Sequence, residues 1–183
     1  TQYSFLSEIN QSILHTDNDV SLFRKSCLVA FKVGKFKMTW IGLFECNNQK
    51  INLVTQKGIP EEDLKVFKNA PYAKNGPQDF VMSTGEYYIC NNLSRDFRDE
   101  YWISFAKRND IQSFMVLPIK KEGKIIGTFN LYSTDIDFFD KEEIGLLTKI
   151  VNDISLALDL FEKERKHKEI ENRIFSNEKD FVP

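Results

Sequence analysis

The residues best suited to nucleophilic, redox or metal chemistry are three cysteines and two histidines, and their spacing favours none of these. Cys27, Cys46 and Cys90 are odd in number and far apart, so they form neither a disulfide framework nor a paired zinc knuckle. A thiol redox enzyme needs an accessible thiolate with a resolving thiol in reach. Here Cys27 falls on the apolar face of an expected helix, Cys46 at a hairpin tip and Cys90 at a strand end. His15 closes the first helix and His167 lies in a charged stretch; neither has a triad or ligand partner nearby in sequence. The 8 glycines are scattered, without G-x-G-x-x-G or Walker A spacing, so no loop is built to cradle phosphate. What stands out instead is an aromatic middle: Tyr72, Phe80, Tyr87, Tyr88, Phe97, Tyr101, Trp102, Phe105 and Phe114.

The whole chain must position those rings. Its 183 residues suit one full-sized domain plus a remainder. Lys and Arg number 25 against 27 Asp and Glu, a net charge of −2, which removes the electrostatic pull behind most nucleic-acid binding. No apolar run approaches the roughly 18 residues of a membrane span and no signal peptide opens the sequence, so a cytoplasmic location is expected.

Periodicity then places the elements. Phe5, Leu6, Ile9, Ile13 and Leu14 recur at helical spacing within residues 1–16. A second helix is expected from about Asp19, capped by Asp17 or Asp19, with Val20, Phe23, Cys27, Leu28 and Phe31 inward and Gly34 as its stop. Residues 38–45 and 51–55 read as a hairpin, and Pro60-Glu61-Glu62 starts a helix. Short helices are expected near 78–84 and 96–108, separated by the strand 87–90. Strands 114–119 and 125–132 are joined through Gly123, with Pro118 at an edge or an end of pairing. Strand alternation puts Gly127, Phe129 and Leu131 on one face, the glycine for close helix packing, and Thr128, Asn130 and Tyr132 on the other.

The last helix has the clearest start. Asp140-Lys141-Glu142-Glu143 reads as a capping box, with Phe139 and Ile144 as its staple. Ile144, Leu147, Val151, Ile154, Leu158 and Phe161 recur in steps of three and four. Continued to Phe175 the helix runs about 50 Å, longer than a domain some 40 Å across, so it must protrude. Glu162–Lys166, Glu164–Lys168 and Glu169–Arg173 support its exposed part as i,i+4 pairs. The apolar stripe jumps to Ile170, Ile174 and Phe175, like a stutter in a coiled coil. A dimer seam through Leu158, Phe161, Ile170 and Ile174 is one reading; a solvated tail is the other.

Several stretches resemble the GAF family of small sensor domains. Met38-Thr39-Trp40-Ile41-Gly42-Leu43 is similar to its first strand. Thr84-Gly85 with Tyr88-Ile89-Cys90-Asn91-Asn92-Leu93 resembles its T-G-x-P-hydrophobic-D-I segment. Trp102, Ala106 and Ser113 match the family's next helix and strand entry. Leu117-Pro118-Ile119, residues 126–132 and Phe138-Phe139-Asp140 resemble its closing hairpin and helix start, so the resemblance covers roughly 20–162. Asn92 stands where that family often has Asp, and Asp110 where a Gly is common.

The resemblance implies an α+β fold: a central antiparallel sheet of five to six strands, terminal helices on one face, and shorter helices and loops roofing the other. Its expected division is a connector helix over 1–18, the sensor domain over 19–161 and a projecting helix over 162–183 toward a further domain. Thr39 is taken as the counterpart of Thr128 and Asn130 under the roof. Candidate ligand contacts are therefore Thr39, Phe80, Tyr88, Trp102, Phe114, Thr128 and Asn130. No metal, haem or covalently attached bilin is expected: no Cys-His pair occurs within 90–110 and no axial His is at hand. The cyclic-nucleotide signature fits only loosely, with Leu131 in place of its Lys. The implied role is a non-enzymatic sensor domain, of a histidine kinase or cyclic-dinucleotide synthase, acting as a homodimer on an unknown small molecule. The alternatives are an interaction-only dimerisation module with a filled pocket and a free methionine sulfoxide reductase, an activity of one branch of the family.

Overall fold

Strand alternation builds two cores on one sheet. The computed structural model describes residues 2–45, 50–69 and 72–179. Strands β1 (Met38–Glu45), β2 (Lys50–Lys57), β3 (Tyr88–Cys90), β4 (Ser113–Lys121) and β5 (Lys124–Ser133) pair antiparallel in the order β2-β1-β5-β4-β3. On one face Ile41, Met115, Leu117, Phe129 and Leu131 meet helices α1 (Gln2–Leu14), α2 (Asp19–Lys32) and α7 (Lys141–Lys179). On the other, Trp40, Phe114, Val116 and Tyr132 meet α3 (Leu64–Asn69), α4 (Pro77–Thr84), α5 (Leu93–Asp96) and α6 (Glu100–Arg108). This is the α+β arrangement expected from the sequence. Phe5 and Ile9 of α1 are fully buried in the first core.

The β4–β5 turn holds Glu122 and Gly123 at φ 51° and 75°, the geometry that matches strand twist in a two-residue hairpin. Pro118 pairs with Thr128, while pairing with β3 ends at Val116, so the missing amide faces no ladder. Gly127 corrects the sequence reading: a Cβ there would lie 2.1 Å from the Gly42 carbonyl oxygen, so the close neighbour is strand β1 rather than a helix.

Helix α2 differs from expectation in cap, face and stop. Asn18 caps it, its Oδ1 accepting from the Ser21 amide at 2.9 Å, and Asp19 lies inside the first turn. Leu22, Phe23, Ser26, Cys27, Val29 and Ala30 are buried while Val20 and Phe31 are exposed, because α2 packs on both the sheet and α1. At its end Lys35 takes the left-handed conformation, φ 61°; Gly34 is needed because a Cβ would stand 2.7 Å from the Ala30 carbonyl. Asp110 is also left-handed, φ 55°, where the family often has glycine.

Asp140 caps α7 by accepting from the Glu143 amide at 2.9 Å, and Phe139 and Ile144 pack in the same core. The reciprocal half of the box is absent: the Asp140 amide bonds to the Phe138 carbonyl, and Glu143 Oε2 is buried without a partner. Helix α7 runs 39 residues, about 58 Å. Every side chain described from Lys163 to Asn177 is exposed, so the last turns project. Of the three expected ion pairs only Glu162–Lys166 forms among the described residues, at 3.8 Å; Arg165 takes Glu169 in place of Arg173. No helix among the described residues is long and apolar enough to cross a membrane.

Candidate functional site

Between the sheet and α3–α6 lies a cavity of about 370 Å³. Its floor is Trp40, Phe114, Val116 and Tyr132; its roof includes Phe67, Gln78, Phe97, Trp102, Phe105 and Ala106. The rings brace one another. Phe67 packs edge-on or tilted against Trp40, Trp102 and Phe105, with centroids 5.4–5.7 Å apart. Phe114 stacks on Tyr132 at 5.7 Å and on Tyr88 at 5.9 Å, a ladder across three strands. Such edge and offset contacts add about 0.5–1.5 kcal/mol each beyond buried area, which stiffens the walls.

The polar groups are few and ordered. The Trp40 indole donates to the Tyr132 hydroxyl at 3.1 Å. Burial pushes the Tyr132 phenol up to about 12, only partly offset by that bond, so it stays protonated at neutral pH. Gln78, in the first turn of α4 behind Gly76 and Pro77, closes a ring with β5. Its Nε2 donates to Asn130 Oδ1 at 2.6 Å, Asn130 Nδ2 donates to Thr128 Oγ1 at 3.0 Å, and Thr128 Oγ1 donates to Gln78 Oε1 at 2.6 Å. Each group fixes the next, so the cavity is tied to the middle of β5. Asp99 lines the mouth and caps α6, accepting from the amides of Tyr101 and Trp102 at 3.0 and 3.2 Å.

Of the sequence candidates, Trp102 and Phe114 line the cavity. Thr128 and Asn130 are fully buried beneath it and reach it through Gln78. Tyr88 lies behind Phe114, and Phe80 packs on Tyr88 from outside with 41% of its surface exposed. Thr39 is a correction. It pairs with Leu131, so it belongs to the helix-facing side, where its hydroxyl donates to the Cys27 carbonyl at 3.1 Å. The register between β1 and β5 makes Trp40 the roof-facing neighbour instead. Gln78 carried no periodic signal, being one polar residue in a short helix after a Gly-Pro pair.

On α7, Leu158 is fully buried and Phe161 packs on the same core, so both are occupied within the domain. Ile170 and Ile174 are exposed, and with Leu156 and Leu160 they form a second face. The steps 156, 160, 163, 167, 170, 174 alternate four and three, with Lys163 and His167 in the middle. Helix α7 is therefore continuous and carries two apolar faces, one buried against the domain and one exposed.

The described thiols lie off the cavity. Cys90 is buried, and desolvation with the Asp96 charge pushes its thiol up to about 11. Cys27 sits on the opposite side of the sheet, pushed by burial to about 12. Cys46 lies outside the described residues. His15 is exposed, and His167 is exposed beside Glu171 at 3.3 Å.

A family model of the GAF domain matches residues 21–159. The chain belongs to the GAF family. No curated protein matches the sequence. Among solved structures, it is similar to a free methionine-R-sulfoxide reductase from Neisseria meningitidis in complex with its substrate. That likeness has a TM-score of 0.73 at 13% identity over 89% of this chain and 91% of that one. A domain from Sinorhizobium meliloti, named as part of a putative two-component sensor histidine kinase protein, gives 0.65 at 14% over 84% and 99%. The GAF domain of an Acinetobacter phosphoenolpyruvate-protein phosphotransferase gives 0.65 at 16% over 90% and 97%. Identities this low establish the shared fold. In this GAF domain the cavity lies between the sheet and its roof, the enclosed setting in which small ligands usually bind.

Proposed function

We propose that this GAF domain is a regulatory sensor: it binds a small molecule in the aromatic cavity and passes the bound state to an output domain through α7. The support is one continuous set of contacts. Gln78 ties the cavity to Thr128 and Asn130 on β5, and the hairpin that begins β5 is fastened to α7. The Lys120 amide donates to Ser155 Oγ at 3.0 Å and the Glu122 amide to Asp159 Oδ1 at 2.6 Å. Lys121 Nζ reaches Asp19 at 2.8 Å and Glu162 at 3.2 Å, and Lys166 reaches Glu122 at 2.6 Å. These fastenings span the point where α7 leaves the core.

A ligand that prefers one roof arrangement biases β5 and, through the hairpin, the helix; the shift is limited by its differential affinity for the two arrangements. The projecting helix then acts in a homodimer through Leu156, Leu160, Ile170 and Ile174, toward a kinase or cyclic-dinucleotide synthase output. A reductase needs a reactive thiol, and the high-pKa, buried Cys27 and Cys90 give that reading no support.

The test is Thr128→Val, with amide NMR as the readout. Shifts extending to the Lys120 and Glu122 amides and into 155–166 are expected. Shifts confined to β5 and α4 contradict the coupling.

A further inference from the structure

We propose that the cavity takes a flat, uncharged, bicyclic or tricyclic ligand that presents a hydrogen-bond acceptor to the Tyr132 hydroxyl. This inference rests on the sensor reading and names the class of its ligand. Shape gives the first part. The stacked rings of Phe114 and Tyr132 line the sheet side and the edge-packed rings of Trp102 and Phe105 the roof side, so aromatic surface bounds the cavity on both sides and suits a flat ring system. A volume of about 370 Å³ lies toward the small end of ligand sites, which run roughly 300–1,000 Å³.

Charge gives the second part. Among the described lining residues there is no Lys, Arg or His, and Asp99 is the only charged one. The two roof helices whose N-termini reach the cavity already carry carboxylates there. Asp99 accepts from two first-turn amides of α6, and Asp79, in the first turn of α4, accepts from the Asn75 amide at 2.8 Å. An anion would meet like charge at both starts and an apolar wall elsewhere, a costly desolvation. Two interior donor protons are left over. Tyr132, 8% exposed, accepts from Trp40, and no described residue accepts its own proton. Gln78 uses one of two Nε2 protons on Asn130. A cation satisfies neither donor; a carbonyl or ring nitrogen in the cavity does.

Calorimetry on the whole chain with three probes of similar size tests this: coumarin (neutral, carbonyl acceptor), 1-naphthoate and 1-naphthylmethylammonium. Coumarin is expected to bind at least about tenfold more tightly than either ion. Tyr132→Phe, which keeps the wall and deletes the donor, should weaken coumarin about three- to tenfold. Tightest binding by either ion overturns the ligand class and leaves the sensor reading standing. Unchanged coumarin affinity in a folded Tyr132→Phe variant overturns the acceptor assignment. No binding by any of the three at millimolar concentration overturns the ligand class, while the sensor reading stands or falls on the Thr128→Val result.

Discussion

Replacing Thr128 by valine keeps the shape of a fully buried side chain and deletes one hydroxyl. That hydroxyl donates to Gln78 at 2.6 Å and accepts from Asn130 at 3.0 Å. With each neutral bond contributing about 1 kcal/mol net, Thr128→Val should destabilise the domain by about 2 kcal/mol. Gln78→Leu removes the bonds to Thr128 and Asn130, also about 2 kcal/mol, reduced where the leucine gains apolar contact. The Thr128–Gln78 bond is shared, so the double variant should lose about 3 kcal/mol and show a coupling of about 1 kcal/mol. Urea denaturation at 25 °C measures all four proteins, provided the slopes agree. Additivity within about 0.5 kcal/mol would refute the ring and, with it, the link between cavity and β5.

Other consequences rest on single groups. Truncation after Phe161, or Ile170→Asp with Ile174→Asp, should weaken self-association at least about tenfold in sedimentation while the core stays folded; two buried charges at the seam are costly. Glu162 is held at about 2 against an ordinary 4.5 by hydrogen bonds from Arg165 and Lys121. Because its folded value is depressed, its contribution is full above pH 4.5 and fades as pH falls toward 2. Protection factors at Glu122 and 155–166 should therefore fall across that window, and Glu162→Gln should diminish the change. Cys90, near 11 against an ordinary 9, should alkylate about 100-fold more slowly than a free thiol at pH 7.5, and only after unfolding at full rate; rapid native labelling would revive thiol chemistry. Burial and the charges of Asp140 and Glu142 raise the Glu143 carboxyl. Glu143→Gln should raise the melting temperature at pH 7.5, with the gain shrinking toward pH 4.

The sequence made some of this legible because local rules carried it. Period-two alternation in β5 placed Phe129 and Leu131 on the helix face and Thr128 and Asn130 on the other, and the β4–β5 turn and the Asp140 cap depend only on neighbours. Thr39 was misplaced because a face on β1 is set by register with β5, a long-range pairing that alternation within one strand does not fix. Leu158 and Phe161 shared their spacing with a dimer seam, yet the same spacing lets a helix pack on its own sheet. Only burial separates the two apolar faces of α7. Gln78 was invisible for a similar reason: its role comes from meeting Thr128 and Asn130, some 50 positions away.

In the proposed sensor, occupancy of the cavity reaches the projecting helix. Hydrogen exchange of residues 155–170 in the whole chain, with and without saturating coumarin, tests it most directly. Slower or faster exchange there, by about threefold or more, is expected together with protection of α4 and β5. Protection confined to the cavity walls, with 155–170 unchanged, would contradict it.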